Sequence, residues 1–493
     1  IMTLLWRCSV NTKSVIRLLS FILLFIAIIM VIPLALSFVY EERDAFFSFS
    51  KTIVLMMAVS LLGVFSTSWG NKEIKIGPKE SYLFVTLAWI LFSLFGALPL
   101  YFSSILPSYA SCYFEIMSGF TTTGATALNN IEAVDKSILF WRNMTNWLGG
   151  MGVVVLFVAI LPAFGVKGTA LVGAESVGPT KDKLTPHIRH TAMALWSIYL
   201  FLSVLETLLL SVFGLDLYNA VTVTFGTMGA AGFTPTNLSI ASFESPAIEW
   251  ICIIFMFLSG ANFALYFKML KGQIKKTLKD GELRIYSAIV LISSLFIALN
   301  LFYSAGMRAF DAIRHSLFQV VSFTTTTGFS STQYQNWPVF SQMILFILSF
   351  VGGCAGSAGG GPKVIRVAVI YKLGKSSIKK RLHPSSVSKI RIGDDTLSQD
   401  TVSGISGFIG MYLVTYAVAS ILISLTGKDL ITVLSSCILT LGNIGIGLGG
   451  IGMDFSFSIY PDWALWVFSF LMLVGRLELF TVYALFTKDF WRS

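Results

Sequence analysis

Short clusters of threonine, alanine and glycine recur four times in this chain, each after an apolar segment. They read TTTGAT at 121–126, AAGFTPT at 230–236, TTTTGFS at 324–330 and NIGIG at 443–447. Glycine adopts positive φ without a Cβ clash, so successive backbone carbonyls beside it can turn to one side. Rings of such oxygens can replace the water shell of an alkali cation. We therefore interpret these segments, called breaks 1 to 4, as candidate cation ligands.

The repetition of the breaks is what favours a cation site. Gly124, Gly232, Gly328 and Gly445 lie at intervals of roughly one hundred residues, whereas a single Thr-Gly break is more often an ordinary connection. Break 4 is the weakest of the four, because neighbouring glycines compete with Gly445 for the same position: Gly442, Gly447, Gly449 and Gly450. No carboxylate lies in any break, which fits a monovalent cation better than a divalent one.

The composition indicates a membrane protein and excludes an ordinary soluble domain. Of 493 residues, 55% are hydrophobic and only 12% are charged. Several apolar runs reach the length of about 20 residues that a helix needs to cross a bilayer. The first run, 15–40, is followed by further spans and by no small-residue cleavage site, so we expect a retained helix and not a signal peptide.

The breaks divide the chain into four units with one internal order: a first long helix, a short helix, the break and a second long helix. The predicted segments are 81–101, 108–120, 121–126 and 137–162 in unit 1; 190–213, 217–229, 230–234 and 246–270 in unit 2; 283–304, 308–323, 324–330 and 337–373 in unit 3; and 402–426, 429–441, 442–449 and 461–487 in unit 4. The unit boundaries are placed at 71–166, 167–273, 274–374 and 375–493. Segment 1–70, with helices 15–40 and 51–69, is an accessory N-terminal pair.

Irregular backbone at membrane depth is tolerated only where protein buries it or where it lines an aqueous cavity. The sequence therefore predicts an all-α polytopic membrane protein, with four helix–pore helix–filter loop–helix units around one pore. Each short helix would direct its C-terminal carbonyls, which carry partial negative charge, toward the pore axis. A secondary cation-coupled solute carrier with a broken-helix site is the alternative. Inverted repeats would favour that carrier, whereas these four units all start on the same side.

The net charge of +10 is explained by topology and not by a nucleic-acid partner. Most of the 35 basic residues lie in alternate connections, including 166–190, 268–284 and 363–391. Basic connections stay cytoplasmic, which places both termini in the cytoplasm and lets the breaks enter from outside. The basic connections would also contact anionic lipid. No cluster of Asp, His, Ser or Cys indicates an enzyme.

The second helix of unit 3 contains GGCAGSAGGG at 352–361, with six glycines in ten residues. Each glycine costs about 1 kcal/mol relative to alanine in a helix, so this stretch does not favour a helix. The alternative is a purely structural role, in which these small residues allow close packing between helices. We favour an intramembrane gating loop beneath the breaks. A phosphate loop is rejected, because Lys363 is followed by Val364 and no strand precedes the motif.

Arg476 lies about midway along the predicted last helix. A charge at that depth costs about 2.5–3.5 kcal/mol on insertion scales, and such residues usually face a cavity. We expect Arg476 to face the pore axis and to repel cations near the gate. The alternative is a structural ion pair with Glu478 or with another buried carboxylate such as Glu206.

These features together resemble the TrkH/KtrB/HKT superfamily of potassium transporters. The resemblance rests on the four breaks, NWLGGMGVVVLFVAILP at 146–162, ESVGPTKDKLTP at 175–186, GGCAGSAGGGPKVIR at 352–366 and the arginine of the last helix. It covers essentially the whole chain, and the accessory helix pair and the length are most similar to the bacterial TrkH branch. One departure is Pro362, where family members often carry isoleucine.

The resemblance implies a function and a set of site residues. It implies potassium uptake across the bacterial inner membrane through a potassium-binding filter formed by Thr122, Thr123, Gly124, Ala230, Ala231, Gly232, Thr326, Thr327, Gly328, Asn443, Ile444 and Gly445. The implied gate comprises Gly352, Gly353, Gly356, Ser357, Gly359, Gly360, Gly361 and Arg476. Glycine in all four filter strands resembles the potassium-selective members.

The resemblance also implies partners. The family forms homodimers and assembles with a cytosolic nucleotide-binding regulatory subunit of the TrkA type, for which 268–284 and 363–391 are candidate docking surfaces. The potassium ion is the predicted bound species, and no organic cofactor is predicted for this chain. Passive conduction and proton- or sodium-coupled symport are both compatible with the sequence.

Overall fold

The structure, a computed structural model, describes residues 10–68, 77–152, 188–384, 390–393, 395–452 and 456–492. Six helices in this part are long and apolar enough to cross a membrane, or up to eight if each of two bent helix pairs counts as one span. The prediction of a helical membrane protein with several spans is confirmed. The predicted helix end at 153–162 and the motif at 175–186 lie outside the described residues.

The accessory pair consists of the candidate span Thr12–Val39 and the helix Arg43–Ser68. The side chain of Asn11 caps the first of these, accepting a hydrogen bond from Ser14 N at 3.2 Å. The two helices pack against each other along their length, and the first also packs against the first helix of unit 1. The accessory pair therefore lies on the outside of unit 1.

Each unit contains its short helix directly before the break. The first helices are Pro78–Gly96 with Leu98–Phe102, Ile188–Val212, Gly281–Ser304 and Gln399–Ser424. The short helices are Tyr109–Phe120, Leu217–Gly229, Ala309–Thr324 and Leu430–Gly442. The second helices begin as Lys136–Gly150, Pro246–Ser259, Val339–Leu348 and Asp462–Arg476.

Further helical segments follow the second helices or lie in the connections. They are the helices Phe263–Leu270, Ile274–Leu278, Val364–Leu382, Phe480–Tyr483 and Lys488–Trp491, and the 3-10 segments Ser239–Phe243, Tyr334–Asn336, Phe457–Ile459 and Ala484–Phe486. The only strands in the described residues are the antiparallel two-residue pair Arg391–Ile392 and Asp395–Thr396.

The prediction of continuous second helices in units 2 and 4 is wrong. In unit 2 the chain bends by 91° between Pro246–Ser259 and Phe263–Leu270. Two contacts accompany this bend: a Cβ on Gly260 would lie 2.5 Å from Thr325 Cγ2, and Asn262 caps the next helix by accepting from Ala264 N at 2.9 Å. A small residue and a capping residue, rather than a glycine run, lie at this bend.

The last helix of unit 4 bends by 109° after Arg476. Glu478 and Leu479 both have positive φ, 55° and 51°, which no helix accommodates. Because Glu478 is tied to the guanidinium of Arg366, the tertiary structure fixes this backbone. Arg476 is thus the last residue of its helix and not a midpoint.

The apolar side chains divide between a common core and the outer surface. Trp89, Phe92, Phe120 and Trp141 are fully or almost fully buried at the centre of unit 1. Long apolar side chains such as Leu291 and Val418 are exposed on the first helices of units 3 and 4, as expected for a surface that faces lipid. The core therefore lies around the four short helices and their breaks.

Candidate functional site

All four breaks share one left-handed backbone position. The residue two positions before the marking glycine is left-handed in every case: Thr122 at φ 55°, Ala230 at 51°, Thr326 at 62° and Asn443 at 55°. Non-glycine residues rarely adopt this conformation unless their surroundings fix it. The recurrence of a strained position in four separate segments is typical of a functional site.

Each break folds back on the end of its own short helix. The backbone N–H after the left-handed residue donates to a carbonyl five residues earlier, as in a helix-capping turn: Thr123 N to Ser118 O at 2.8 Å, Ala231 N to Gly226 O at 2.9 Å, Thr327 N to Ser322 O at 2.9 Å and Ile444 N to Leu439 O at 2.9 Å. These bonds fix the start of each break against the end of its own short helix.

The four breaks meet in a closed ring. A Cβ on Gly124 would collide with the backbone of Gly232, and one on Gly232 would lie 3.0 Å from Gly328 O. A Cβ on Gly328 would collide with Ile444 O. A Cβ on Gly445 would collide with Thr123 O, which closes the ring. Only glycine permits this approach, so the glycines are required where the four breaks converge.

The geometry also separates the competing glycines of break 4. A Cβ on Gly447 would meet side chains of its own short helix, and one on Gly449 would lie 2.5 Å from Thr432 Oγ1. Only Gly445 faces break 1. Gly445 is accordingly the member of break 4 that lies in the ring.

The threonine side chains hold the ring in place. Thr121 Oγ1 and Thr123 Oγ1 lie 2.9 Å apart, and the equivalent pair in break 3, Thr325 and Thr327, lies 2.8 Å apart. Asn443 Nδ2 donates to Thr123 Oγ1 at 3.0 Å, which ties break 4 to break 1. Since these hydroxyls contact other protein groups, the carbonyls are the stronger candidates for ion ligands.

The glycine-rich loop lies against the breaks, between Val339–Leu348 and Val364–Leu382. Gly352, Gly356 and Gly361 have positive φ of 79°, 74° and 71°. The amide of Gly360 donates to Thr326 Oγ1 at 2.6 Å, and a Cβ on Gly360 would lie 2.6 Å from Gly442 O. The loop therefore packs directly on breaks 3 and 4.

The remaining predicted loop residues lie close to the same surfaces. A Cβ on Gly359 would lie 2.5 Å from Thr325 O, and one on Gly353 would lie 3.0 Å from Gly260 O and 2.8 Å from Ser357 Oγ. Cys354 N donates to Gly260 O at 2.9 Å. The bend of unit 2 thus supports the loop, a contact that sequence reasoning missed because Gly260 stands alone in an apolar run.

Two charged residues that sequence reasoning did not assign anchor the loop. Glu282 Oε1 accepts hydrogen bonds from Ala355 N at 2.8 Å and from Ile365 N at 3.3 Å. Lys363 is 1% exposed, and its Nζ donates to Gly359 O. The available signal for Glu282 was an acidic residue at the start of an apolar helix.

Arg476 joins three segments of the site. Its Nη1 donates to Thr122 Oγ1 at 3.0 Å and to Ala358 O at 2.9 Å, and its Nη2 donates to Gly149 O at 2.6 Å and Gly150 O at 3.0 Å. The alternative of an ion pair with Glu478 is wrong, because that carboxylate pairs with Arg366.

The guanidinium of Arg476 therefore lies where break 1, the glycine-rich loop and the second helix of unit 1 meet. The other proposed partner, Glu206, is fully buried, and the hydrogen bonds described above join Arg476 to Thr122 Oγ1 and to backbone carbonyls instead.

Comparisons with known proteins agree with this architecture. The family TrkH, a cation transport protein, matches residues 45–492. The Trk system potassium uptake protein TrkH of Escherichia coli (strain K12) is 37% identical over 490 residues, covering 98% of this chain and 99% of that protein. The Trk system potassium uptake protein TrkI of Halomonas elongata is 33% identical over 482 residues, covering 97% of each.

A solved structure is also similar over the full length. The crystal structure of the potassium transporter TrkH from Vibrio parahaemolyticus has a TM-score of 0.87 and 33% sequence identity, and covers 98% of this chain and 100% of that chain. The fold therefore extends over the described residues as a whole. On the family match and these relatives, the chain belongs to the TrkH family of cation transport proteins.

Proposed function

We propose that this chain carries potassium into bacterial cells across the inner membrane, through one pore surrounded by units 1 to 4. The closed ring of breaks is the single observation that carries the proposal, because four converging glycine segments give carbonyl oxygens a common axis. The names of the relatives, which are potassium uptake proteins and a potassium transporter, support the choice of ion. Potassium is the transported substrate.

The breaks are the filter in this proposal. The residues that supply ion ligands are Thr122, Thr123, Gly124, Ala230, Ala231, Gly232, Thr326, Thr327, Gly328, Asn443, Ile444 and Gly445. Every one of the twelve is buried or partly buried in the ring, and none carries a charge. Neutral oxygen ligands suit a monovalent cation that must leave again after binding.

Loop 352–361 and Arg476 form the gate. The packing of the loop on breaks 3 and 4 supports this role, and the guanidinium of Arg476 brings a positive charge to the loop through its hydrogen bond to Ala358 O. A buried positive charge close to the pathway repels a bare cation, since charges interact strongly where water is excluded. Transport therefore needs the loop and Arg476 to move apart from the breaks.

The proposed arrangement in the membrane follows from the basic connections. Residues 268–284 and 363–391 lie in the cytoplasm with both termini, and the breaks enter from the opposite side. Two copies form a homodimer, with one pore in each. A cytosolic nucleotide-binding subunit of the TrkA type docks on the basic connections; the word "system" in the relatives' names supports an assembly with other Trk proteins.

Ion flux into vesicles tests this function. Purified protein in lipid vesicles is expected to pass potassium and rubidium much faster than sodium at several imposed voltages. A superimposed pH or sodium gradient separates passive conduction from symport, because only symport would drive potassium against its own gradient. Equal sodium and potassium rates would contradict the proposed filter.

A further inference from the structure

A buried ion pair lies beside the ring, outside the residues assigned to filter and gate. Arg142 Nε and Glu115 Oε1 are 2.5 Å apart, and their side chains are 1% and 0% exposed. Glu115 lies on the short helix of unit 1, and Arg142 lies on the second helix of that unit. Each partner also contacts a break, on the side that follows the marking glycine.

Glu115 holds the end of break 1. Its Oε1 accepts from Thr126 Oγ1 at 2.8 Å, and its Oε2 accepts from Ala127 N at 2.6 Å. Thr126 O in turn accepts from Phe457 N at 2.8 Å, a contact with unit 4. The carboxylate therefore fixes the segment at which units 1 and 4 meet.

Arg142 holds the end of break 2. Its Nη1 donates to Thr234 O at 3.2 Å, and its guanidinium carbon lies 3.5 Å from the ring centroid of Phe233, the residue after Gly232. Stacking and a hydrogen bond together set both the distance and the orientation of this strand. One ion pair thus connects the end of break 1 to the end of break 2.

The other junctions differ in their chemistry. Units 2 and 3 meet through Ser239 Oγ, which accepts from Ser330 N at 3.1 Å, and units 3 and 4 through Tyr334, which donates to Gly447 O at 2.6 Å. These two contacts are neutral hydrogen bonds. Charged groups also join other units: Arg314 Nε of unit 3 lies 2.9 Å from Glu249 Oε2 of unit 2, and Arg476 of unit 4 donates to Thr122 Oγ1. The Glu115–Arg142 pair differs from these because one partner binds the end of break 1 and the other the end of break 2.

Stability alone does not account for a charged pair in this place. Desolvation of two ions offsets most of their attraction, and apolar replacements of buried pairs are often neutral or stabilising. A pair that supports ligand-bearing groups, in contrast, sets their geometry. In metal sites, the loss of such a supporting partner typically weakens metal affinity by 10–100-fold.

We propose that Glu115 and Arg142 are selectivity-determining positioning residues, which fix the spacing of breaks 1 and 2 at the size of the preferred cation. The inference rests on the proposed potassium transport. It adds a second layer to the filter, formed by residues that never touch the ion. The pair acts through Thr126, Ala127, Phe233 and Thr234.

The test compares potassium and sodium flux in vesicles for two conservative variants. Arg142→Lys keeps the charge but cannot reach Glu115, Phe233 and Thr234 together. Glu115→Asp keeps the charge but shortens the reach to Thr126 and Ala127. Each is expected to lower the potassium-to-sodium flux ratio about tenfold. Glu80→Gln is the matched control, since Glu80 accepts backbone hydrogen bonds from Asn11 N and Gly77 N, each at 2.9 Å, away from the ring.

The ratio, and not the total flux, decides the outcome. A folded variant with less flux but the wild-type ratio overturns the proposal, and so does failure of both variants to fold, which would assign the pair to stability. A wild-type protein that does not discriminate potassium from sodium would instead refute the proposed function itself. The two failures are therefore distinguishable in one experiment.

Discussion

Arg476 Nη1 donates hydrogen bonds to both Thr122 Oγ1, at 3.0 Å, and Ala358 O, at 2.9 Å, so one nitrogen joins break 1 to the glycine-rich loop. The same guanidinium holds Gly149 O and Gly150 O at the end of the second helix of unit 1. A charged group with this many partners across three segments stabilises one arrangement of all of them. On the proposed function, that arrangement is the closed gate.

Replacement of this guanidinium is the first prediction. Arg476→Ala is expected to raise potassium flux about tenfold, equivalent to a barrier lower by about 1.4 kcal/mol, because both the repelling charge and the bonds to the loop are lost. Rubidium uptake into vesicles measures the change. Arg476→Lys keeps the charge and loses most of the bonds, so its flux should fall between the two. Unchanged flux in Arg476→Ala would return the residue to a packing role.

Release of the glycine-rich loop is the second prediction. Glu282→Ala removes the acceptor of Ala355 N and Ile365 N, and deletion within 352–361 shortens the loop itself. Both changes are expected to raise basal flux severalfold, since the loop can then leave breaks 3 and 4. Glu80→Ala is the control, as it removes an equivalent carboxylate acceptor far from the loop. Lower flux in correctly folded Glu282→Ala protein would count against the gate.

A methyl group placed in the ring is the third prediction. A Cβ on Gly232 would lie 3.0 Å from Gly328 O and 3.2 Å from Thr327 O, and Gly232 lacks the positive φ that would add backbone strain. Gly232→Ala therefore tests sterics alone, and we expect at least a tenfold loss of potassium flux, which corresponds to about 1.4 kcal/mol.

The control for this variant is another glycine. Gly374→Ala adds a methyl group in open space within the helix Val364–Leu382, where alanine is favoured by about 1 kcal/mol. Its flux is expected to match that of the wild type. Equal flux in Gly232→Ala and Gly374→Ala would show that the ring tolerates a wider spacing than its geometry indicates.

The cap of the short helix in unit 4 is the fourth prediction. Thr432 N donates to Asp429 Oδ2 at 3.0 Å, and hydrogen bonds from Thr432 lower the pKa of this exposed carboxyl. Asp429→Ala is expected to cost about 1 kcal/mol of stability, whereas Asp429→Asn keeps the cap. Thermal unfolding in detergent, with each variant at neutral pH, measures the difference.

The pH dependence of this cap has a definite sign. Because the pKa is lower in the folded protein, the ionised cap contributes its full stability above the unfolded value of about 3.9. That contribution is lost as the pH falls through the folded pKa. Asp429→Asn has no such titration, so its unfolding temperature should be less sensitive to acid than that of the wild type.

The repeated parts of the fold could be predicted from the sequence. Short helices such as Leu217–Gly229 end at breaks whose glycines recur in every unit. Because an ordinary turn would not recur at similar intervals, this recurrence indicates a shared structural role. Gly352, Gly356 and Gly361 could be predicted as irregular backbone for a similar reason, since six glycines in ten residues disfavour a helix.

The parts that occur once could not be predicted in this way. At the bend in unit 2, Gly260 packs against the methyl group of Thr325, a contact between residues far apart in the sequence. Glu478, at the bend after Arg476, forms an ion pair with Arg366, and nothing in the sequence indicates that these two residues are partners. Glu115 and Arg142 are likewise single charges in apolar surroundings, whose pairing appears only when two helices pack together.

The bend at Gly260 has a consequence for how such a channel would open. The four breaks share a left-handed position, but within the part of the chain that the structure describes, the glycine-rich loop that rests on Gly260 belongs to unit 3 alone. On the proposed function, opening would then be asymmetric: one loop would move away from breaks 3 and 4, whereas the four units would not spread apart together. On the proposed function, a regulatory partner would then need to act on one segment of the protein only, and the four breaks would keep their positions.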